Sequence, residues 1–269
     1  METLRIGLVG TGGIGRTHIE RINNTLQGGK VVACADPASA FGMSVAEKYD
    51  IKGFENPIDM INDSEIDAVM CTTSDPYHEE YVLASIAAGK YVFCEKPLAP
   101  KADACKRIVE AEMKAGRKLV QVGFMRRFDK SYAEAKRKID NGDIGKVVLV
   151  RSYTQDPRST IESTLKFAPH SGGQYLDMCV HDLDLIRWFT GAEVKRVWAI
   201  GGVFEFDLYR ELNDADNCCA TVQLDNGAMG FMFTNRTHGA GCNVETEIIG
   251  THGTLRIANV GAKNLLQIV

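Results

Sequence analysis

A chain of 269 residues, of which 45% are hydrophobic and 25% charged, is long enough to bury a large core and to form two domains. Its net charge of −4 excludes the broad basic surface that nucleic-acid binding requires, and we expect no nucleic-acid partner. An apolar strand pattern follows Met1 directly, and no run approaches the ~18 apolar residues of a membrane span, so we expect a cytoplasmic protein without leader or membrane segment.

Short apolar runs alternate with helical patterns over residues 1–123, with helical spacing at 14–26 and 81–88. Uniformly apolar strands separated by helices require cover on both faces of a parallel sheet. We therefore predict a doubly wound α/β Rossmann domain over residues 1–123. Its predicted strands are 4–9, 31–35, 52–54, 67–71, 91–94 and 119–122.

The pattern changes over residues 124–269, where longer alternating strands are interrupted by helical patterns at 129–141 and 174–189. Asp225-Asn226-Gly227 is typical of a hairpin turn. We predict an α+β domain with a large, mostly antiparallel open sheet and the second helix packed on one face. Its predicted strands are 147–154, 194–203, 217–224, 228–236, 244–250 and 254–257, with a further apolar run at 265–269.

A Gly-rich segment lies between the first strand and the first helix and matches the G-x-G-x-x-G pattern. Such a turn lets the backbone approach a pyrophosphate and lets helix and strand pack closely. Asp36 ends the next strand, where it can bind ribose hydroxyls and repel a 2′-phosphate, which favours NAD over NADP. A glycine turn without a ligand is the alternative. The predicted cofactor contacts here are Gly10, Gly12, Gly13, Ile14, Gly15 and Asp36.

Polar residues follow the fourth and fifth strands, at the edge of the sheet where ligands bind in open α/β folds. Thr72, Thr73 and His78 follow the fourth strand, and we predict that they contact the cofactor. Glu95 and Lys96 follow the fifth strand, where Glu95 would contact the cofactor and Lys96 would reach its nicotinamide end. A lysine before a proline is also common in exposed loops, and that reading stays open.

Asp177, His181 and Asp184 are spaced four and three residues apart, so a regular helix would present them on one face. An imidazole titrates near pH ~6.5 and is suited to act as a general base near neutrality. A core histidine bonded to Asp177 or Asp184 is one alternative. A Zn or Mn site is another, but no Cys or second His shares that face, so we predict no metal.

Two further positions are candidates for substrate contacts. Arg126 and Arg127 can hold substrate hydroxyls or the cofactor, or form an ion pair between the domains. Asp156 ends a strand and can face the cleft or cap a turn. The eight cysteines contain no C-x-x-C pair, and we predict that they are reduced, packed thiols.

Together these motifs resemble the glucose-fructose oxidoreductase and inositol dehydrogenase superfamily, inositol 2-dehydrogenases in particular. The resemblance implies catalytic roles for Lys96, Asp177 and His181, and substrate contacts from Asp156 and Asp184. It also implies a homodimer or homotetramer formed through the sheet of the second domain. The segments that carry the resemblance are the Gly-rich turn and residues 72–78, 89–99, 122–129 and 171–184.

The resemblance also implies a reaction, the transfer of a hydride from a ring secondary alcohol of myo-inositol or a related inositol to NAD. His181 would take the hydroxyl proton, Lys96 would stabilise the alkoxide, and Asp177 would orient Lys96 or a substrate hydroxyl. Alternatives are another sugar as substrate, a catalytically silent NAD- or sugar-binding sensor, and a metal-dependent hydrolase or lyase. Family members continue past the equivalent of Val269, so we expect their C-terminal helices to be absent from this chain.

Overall fold

The computed structural model describes residues 3–239 and 241–258. The chain divides into two compact units, Met1–Gly123 and Phe124–Val269. The apolar run predicted as a strand at 265–269 lies outside the described residues. None of the helices in the described part of the chain is both long enough and apolar enough to span a bilayer.

In the described residues of the first unit, six strands form one parallel sheet in the order β3-β2-β1-β4-β5-β6. The strands are β1 (Leu4–Val9), β2 (Gly29–Ala35), β3 (Lys52–Phe54), β4 (Ala68–Cys71), β5 (Tyr91–Cys94) and β6 (Val120–Val122). The helices are α1 (Gly13–Asn24), α2 (Ser39–Tyr49), α3 (Pro57–Asn62), α4 (His78–Ala87) and α5 (Ala102–Ala115). The predicted Rossmann architecture is confirmed.

Two apolar cores cover the two faces of this sheet. Alternate residues of a strand point to opposite faces, so Leu8 belongs to the core that contains Ile19 of α1, whereas Val9 belongs to the core that contains Met60 of α3. Of the apolar positions that predicted α1, Ile14 and Leu26 are exposed. Leu26 lies beyond the end of the helix at Asn24, so the buried stripe is shorter than predicted.

In the described residues of the second unit, six strands form a sheet in the order β12-β11-β7-β10-β9-β8. Only the β10 and β7 pair of this sheet is parallel, which confirms the predicted, mostly antiparallel sheet. The strands are β7 (Val147–Pro157), β8 (Val194–Gly202), β9 (Asn217–Leu224), β10 (Met229–His238), β11 (Asn243–Gly250) and β12 (Thr254–Ile257). The helices are α6 (Lys130–Asp140), α7 (Ile161–Phe167), α8 (Val180–Thr190) and α9 (Leu208–Glu211).

Helix α8 packs on one face of this sheet, as predicted. Leu185, Ile186 and Phe189 of the helix share a core with Val150 of β7 and Val222 of β9. The approach is close, because a Cβ atom at Gly230 of β10 would lie 2.7 Å from Ile186. The helix is thereby fixed against the sheet.

The helix predicted over 174–189 is not uniform, because one turn of π-helix, Tyr175–Cys179, precedes α8. The carbonyl oxygen of Gly173 accepts hydrogen bonds from the backbone N–H groups of both Leu176 and Asp177. The Asp214 carboxylate accepts from the N–H of Gln174 and holds the start of this turn. Asp177 therefore lies in a wider turn than the regular helix that the sequence predicts, and such turns are frequent at functional sites.

Candidate active site

The Gly-rich turn of the first unit packs tightly on one side and is open on the other. A Cβ atom at Gly10 would lie 2.4 Å from the backbone nitrogen of Thr73, and one at Gly15 would lie 2.0 Å from the carbonyl oxygen of Gly10. Cβ positions at Gly12 and Gly13 have no atom within 4 Å. The backbone at those two residues therefore faces space that a ligand can enter.

That open space lies at the N-terminus of α1, which begins at Gly13 without a side-chain cap. Unpaired backbone N–H groups and the helix dipole favour an anion at this position. A dinucleotide pyrophosphate fits both the open backbone and the charge. Ile14, predicted as a cofactor contact, lies in the same turn and is exposed.

Asp36 lines a cleft of about 490 Å³, which Gly12 and Thr73 also line. Its carboxylate accepts hydrogen bonds from the N–H of Thr11 at 2.7 Å, from Thr11 Oγ1 at 3.0 Å and from the N–H of Ala38 at 2.9 Å. An ionised carboxylate offers about four acceptor sites, so one stays available for a ribose hydroxyl. These bonds orient the carboxylate within the cleft.

Thr72 and Thr73 lie beside the same cleft. Thr72 Oγ1 donates to the carbonyl oxygen of Gly10 at 2.6 Å, which fastens the Gly-rich turn to the end of β4. His78, predicted as a cofactor contact, is fully buried, and both of its ring nitrogens face backbone carbonyl oxygens. Its Nδ1 lies 2.7 Å from the carbonyl oxygen of Pro97, and its Nε2 lies 3.0 Å from that of Thr73.

Glu95 and Lys96 follow β5 at the carboxyl edge of the sheet. Glu95 Oε1 lies 2.9 Å from His18 Nε2 of α1, and Oε2 accepts from the backbone N–H of Lys96 at 3.3 Å. The Glu95 side chain thus links helix α1 to the turn that carries Lys96. Its contact with the cofactor stays a prediction. His18 was missed, because nothing in the sequence links it to a residue 77 positions away.

In the second unit, Arg236 forms ion pairs with two of the predicted site residues. The guanidinium of Arg236 on β10 pairs with both Asp177 and Asp156, and its Nε donates to Gln174 Oε1 at 3.0 Å. Burial disfavours the charged guanidinium, but Asp177 and Asp156 outweigh burial and raise the pKa of Arg236. Arg236 therefore remains charged and fixes both carboxylates. Sequence reasoning missed it.

Arg126 and Asp182 form a buried ion pair, with Nη1 and Oδ1 2.7 Å apart and side-chain exposures of 5% and 0%. Ser152 Oγ and Thr154 Oγ1 also donate to the Asp182 carboxylate. Burial raises the pKa of Asp182, and Arg126 and the two hydroxyls oppose that shift. The substrate contact predicted for Arg126 stays a prediction. The structure shows that the positive charge of Arg126 is paired with the carboxylate of Asp182.

Arg127 binds Asp184 in a two-point pair, with Nε–Oδ2 at 2.8 Å and Nη2–Oδ1 at 2.7 Å. The guanidinium also lies over the Trp188 ring, 5.3 Å from its centroid. Both this pair and that of Arg126 lie within the second unit. Both arginines pair with carboxylates of α8, so the ion pairs that the structure describes for them are not the pair between the domains that the sequence left open.

His181 lies in the first turn of α8, directly after the π-turn, and is buried. Its ring meets the Phe124 ring edge-on, with centroids 6.3 Å apart. Asp184, one of the two carboxylates considered as its partner, directs both oxygens to Arg127. The second unit thus brings together Asp156, Asp177 and Arg236, with His181 one helical turn beyond Asp177.

Three potential metal ligands meet elsewhere, in the first unit. Ligand atoms of Cys71, His78 and Cys94 all lie within 4.8 Å of one another, and the three residues are buried. Both ring nitrogens of His78 already face carbonyl oxygens, so binding a metal would break one of those contacts. All eight cysteines are free thiols, although Cys242 is exposed rather than packed.

An open anion-binding turn on a parallel sheet, followed by an open-sheet domain with a buried acid and imidazole, defines a two-domain dinucleotide-binding oxidoreductase. Residues 4–124 match the oxidoreductase family with an NAD-binding Rossmann fold, and residues 132–256 match the GFO/IDH/MocA C-terminal domain. The chain belongs to the GFO/IDH/MocA oxidoreductase family, which confirms the resemblance read from the sequence.

Several relatives are similar over almost the whole chain. An inositol 2-dehydrogenase of Klebsiella pneumoniae is 42% identical over 97% of this chain and 75% of the relative. The scyllo-inositol 2-dehydrogenase (NAD(+)) of Bacillus subtilis is 33% identical over 96% of this chain and 74% of the relative. The crystal structure of scyllo-inositol dehydrogenase from Lactobacillus casei with NAD(H) and scyllo-inositol has a TM-score of 0.89 and 37% identity, covering 99% of this chain and 79% of that one.

Proposed function

We propose that this protein is an NAD-dependent dehydrogenase that oxidises a ring secondary alcohol of an inositol, myo-inositol or a related isomer, to the ketone. The observation that carries the proposal is the similarity over 99% of the chain to a dehydrogenase solved with NAD(H) and scyllo-inositol. The open backbone at Gly12 and Gly13 and the oriented carboxylate of Asp36 support NAD as the cofactor.

The proposed site combines Lys96 of the first unit with Asp177 and His181 of the second. Lys96 is half-buried at the carboxyl edge of the sheet, where dinucleotide sites are found. Asp177 is held by Arg236, and His181 is buried in the first turn of α8. The order of these residues along the chain and the family to which the chain belongs support their action on one substrate.

In the proposed mechanism, His181 removes the proton of the reacting hydroxyl as the C–O bond gains double-bond character. The ammonium of Lys96 stabilises the negative charge that develops on that oxygen, and Asp177, fixed by Arg236, orients Lys96 or a neighbouring hydroxyl. NAD, when bound, supplies the acceptor for the hydride. One well-placed donor to a developing oxyanion contributes about 3 kcal/mol to catalysis in a water-poor site.

The proposed reaction is tested by NADH absorbance after mixing the protein with NAD and, separately, myo-inositol, scyllo-inositol, glucose and xylose. We expect NADH formation with at least one inositol and a lower kcat/KM with the two sugars. NADH formation with glucose or xylose alone would replace inositol by another sugar as substrate. Measurable NAD binding without turnover on any polyol would favour a sensor, and loss of turnover with a chelator would favour a metal-dependent enzyme.

The charge of Asp36 is expected to set the choice between NAD and NADP. Replacing Asp36 by serine should raise the Kd for NAD by about 10-fold, the effect of losing one hydrogen bond to a charged group. It should lower the Kd for NADP, because the repulsion of the 2′-phosphate is removed. Calorimetric titration with both dinucleotides measures the two effects.

Asp36→Asn is the matched control for that substitution, because it removes the charge but keeps the size of the side chain and one oxygen acceptor, for the N–H of either Thr11 or Ala38. If repulsion sets the preference, the Asp36→Asn and Asp36→Ser proteins should both gain affinity for NADP. An Asp36→Ser protein that kept the parent preference would show that other residues choose the cofactor.

The outer face of the second sheet is proposed as the contact between copies of this chain. Ile200 and Trp198 of the edge strand β8 are 71% and 57% exposed. The strand register aligns Trp198 with Thr221 and Phe231, and Ile200 with Cys219 and Phe233, so the apolar surface continues across the sheet. A large exposed apolar patch of this kind is typical of a subunit interface.

Replacing Ile200 by glutamate should therefore dissociate the oligomer. The parent protein should sediment as a dimer or tetramer, and the Ile200→Glu protein as a monomer at the same micromolar concentration, because a charge would be buried without a partner. Met113→Glu is the control, since Met113 is an equally exposed apolar residue on α5 of the first unit. A monomeric parent protein, or an unchanged Ile200→Glu oligomer, would contradict the interface.

We also propose that the protein acts in the cytoplasm. All eight of its cysteines are free, although Cys218 and Cys219 are adjacent and Cys242 is exposed. Free thiols at such positions are typical of a reducing compartment. Cell fractionation tests this, and recovery of the protein in an oxidising compartment would contradict it.

A further inference from the structure

His78 begins α4 and touches two functional loops at once. Its Nδ1 lies 2.7 Å from the carbonyl oxygen of Pro97, the residue after Lys96. Its Nε2 lies 3.0 Å from the carbonyl oxygen of Thr73, which lines the cofactor cleft. The ring is fully buried, so water does not compete for either contact.

These contacts complete a connected path between the two loops. Thr72 Oγ1 binds the carbonyl oxygen of Gly10 in the Gly-rich turn, and Thr73, the next residue, binds the His78 ring. The opposite side of the ring binds Pro97, beside Lys96. The imidazole therefore bridges the two loops.

Only a side chain with hydrogen-bonding atoms at two opposite positions can span these carbonyl oxygens. A neutral imidazole donates from one nitrogen, whereas a protonated imidazole donates from both and satisfies both oxygens.

We propose that His78 is a positioning residue that holds the cofactor loop at Thr73 and the Lys96-Pro97 turn in register, rather than a residue that contacts NAD. This inference rests on the proposed function, because it assigns the two loops to cofactor binding and to catalysis. The proposal predicts that NAD affinity and turnover can be altered separately at His78, which a direct cofactor contact does not predict. The contact through Nε2 serves NAD affinity, and the contact through Nδ1 serves turnover.

Three substitutions at His78 distinguish the two contacts. The amide nitrogen of asparagine takes the place of Nδ1, so His78→Asn keeps the contact with Pro97 and should raise the KM for NAD by about 10-fold with kcat nearly unchanged. The amide nitrogen of glutamine takes the place of Nε2, so His78→Gln should lower kcat by about 10-fold with the KM for NAD nearly unchanged. His78→Phe loses both contacts and should show both defects.

Two readouts do not depend on turnover, so the inference can fail separately from the proposed function. The Kd for NAD, measured by calorimetry, should rise in His78→Asn and His78→Phe but not in His78→Gln. The rate at which an amine-reactive reagent labels Lys96, followed by peptide mass spectrometry, should change in His78→Gln and His78→Phe but not in His78→Asn. Parent protein that bound NAD but lacked turnover would reject the proposed function and leave these two tests intact.

A purely structural role for His78 predicts a different result. Ser85→Ala is the control, because Ser85 is also buried on α4 and its hydroxyl bonds only the carbonyl oxygen of Tyr81 among the described contacts. It should lower Tm without changing KM or kcat. Equal defects in His78→Asn and His78→Gln, or parent values of Kd and labelling rate in His78→Phe, would overturn the inference.

Discussion

Replacing Lys96 by methionine should lower kcat by about 10²–10³-fold, because the apolar side chain cannot stabilise the negative charge that develops on the substrate oxygen. Methionine keeps much of the length of lysine, so the fold and the Kd for NAD should stay close to those of the parent. Steady-state kinetics with the preferred inositol and calorimetry with NAD measure the two quantities.

A matched control and a double substitution sharpen this expectation. Lys101→Met removes an exposed ammonium near the start of α5 and should leave kcat unchanged. Residues that act as a unit have non-additive effects, so Lys96→Met combined with His181→Gln should lose little more activity than the worse single variant. Fully additive losses would show that Lys96 and His181 do not act on one reaction step.

Replacing Arg126 by methionine should destabilise the protein by about 3–5 kcal/mol, because it leaves the Asp182 carboxylate buried without its charged partner. Chemical denaturation measures this loss. Arg187→Ala is the control, since it breaks an exposed pair with Glu193 and should cost at most about 1 kcal/mol. A loss as small as that of Arg187→Ala would contradict the account of the buried pair.

The same substitution should make stability depend on pH in a specific direction. Burial already raises the pKa of Asp182, and removal of Arg126 takes away the strongest opposing charge. A group whose folded pKa is raised loses stability as pH rises from its unfolded pKa toward its folded pKa. The Arg126→Met protein should therefore lie closer to the parent in stability near pH ~5 than near pH ~8.

The fold of the first unit could be read from the sequence because its signals are local. A buried strand of a parallel sheet is apolar throughout, and the strands predicted at 4–9 and 91–94 match β1 and β5 residue for residue. The Gly-rich turn is also local, and its glycines at 10 and 15 are required by close backbone contacts. Sheet order and helix cover follow from this alternation.

The parts of the site that escaped prediction depend on residues far apart in the sequence. Arg236 lies 80 positions from Asp156 and 59 from Asp177, so no spacing rule connects them. The π-turn depends on Asp214, which is 40 positions from Gln174. Tertiary contacts of this kind override the regular helix that local spacing predicts.

The buried ion pair of Arg126 and Asp182 was not predicted, although the sequence contains evidence for it. Asp182 lies three and four positions before Leu185 and Ile186, on the side of α8 that faces the core. A carboxylate at such a position requires a cationic partner, and Arg126 was already a candidate for an ion pair. The need of the buried Asp182 carboxylate for a cationic partner, rather than a sequence motif, would have identified its pair with Arg126.

The central claim is that Lys96 and His181, carried by different units, act on the same hydroxyl of one substrate. A crystal structure of the protein with NAD and the inositol that it oxidises fastest tests this directly. We expect Lys96 Nζ and a ring nitrogen of His181 each to lie roughly 2.6–3.2 Å from one hydroxyl oxygen, whose carbon faces C4 of the nicotinamide. A bound inositol contacted by only one of these residues, or held away from the nicotinamide, would contradict the claim.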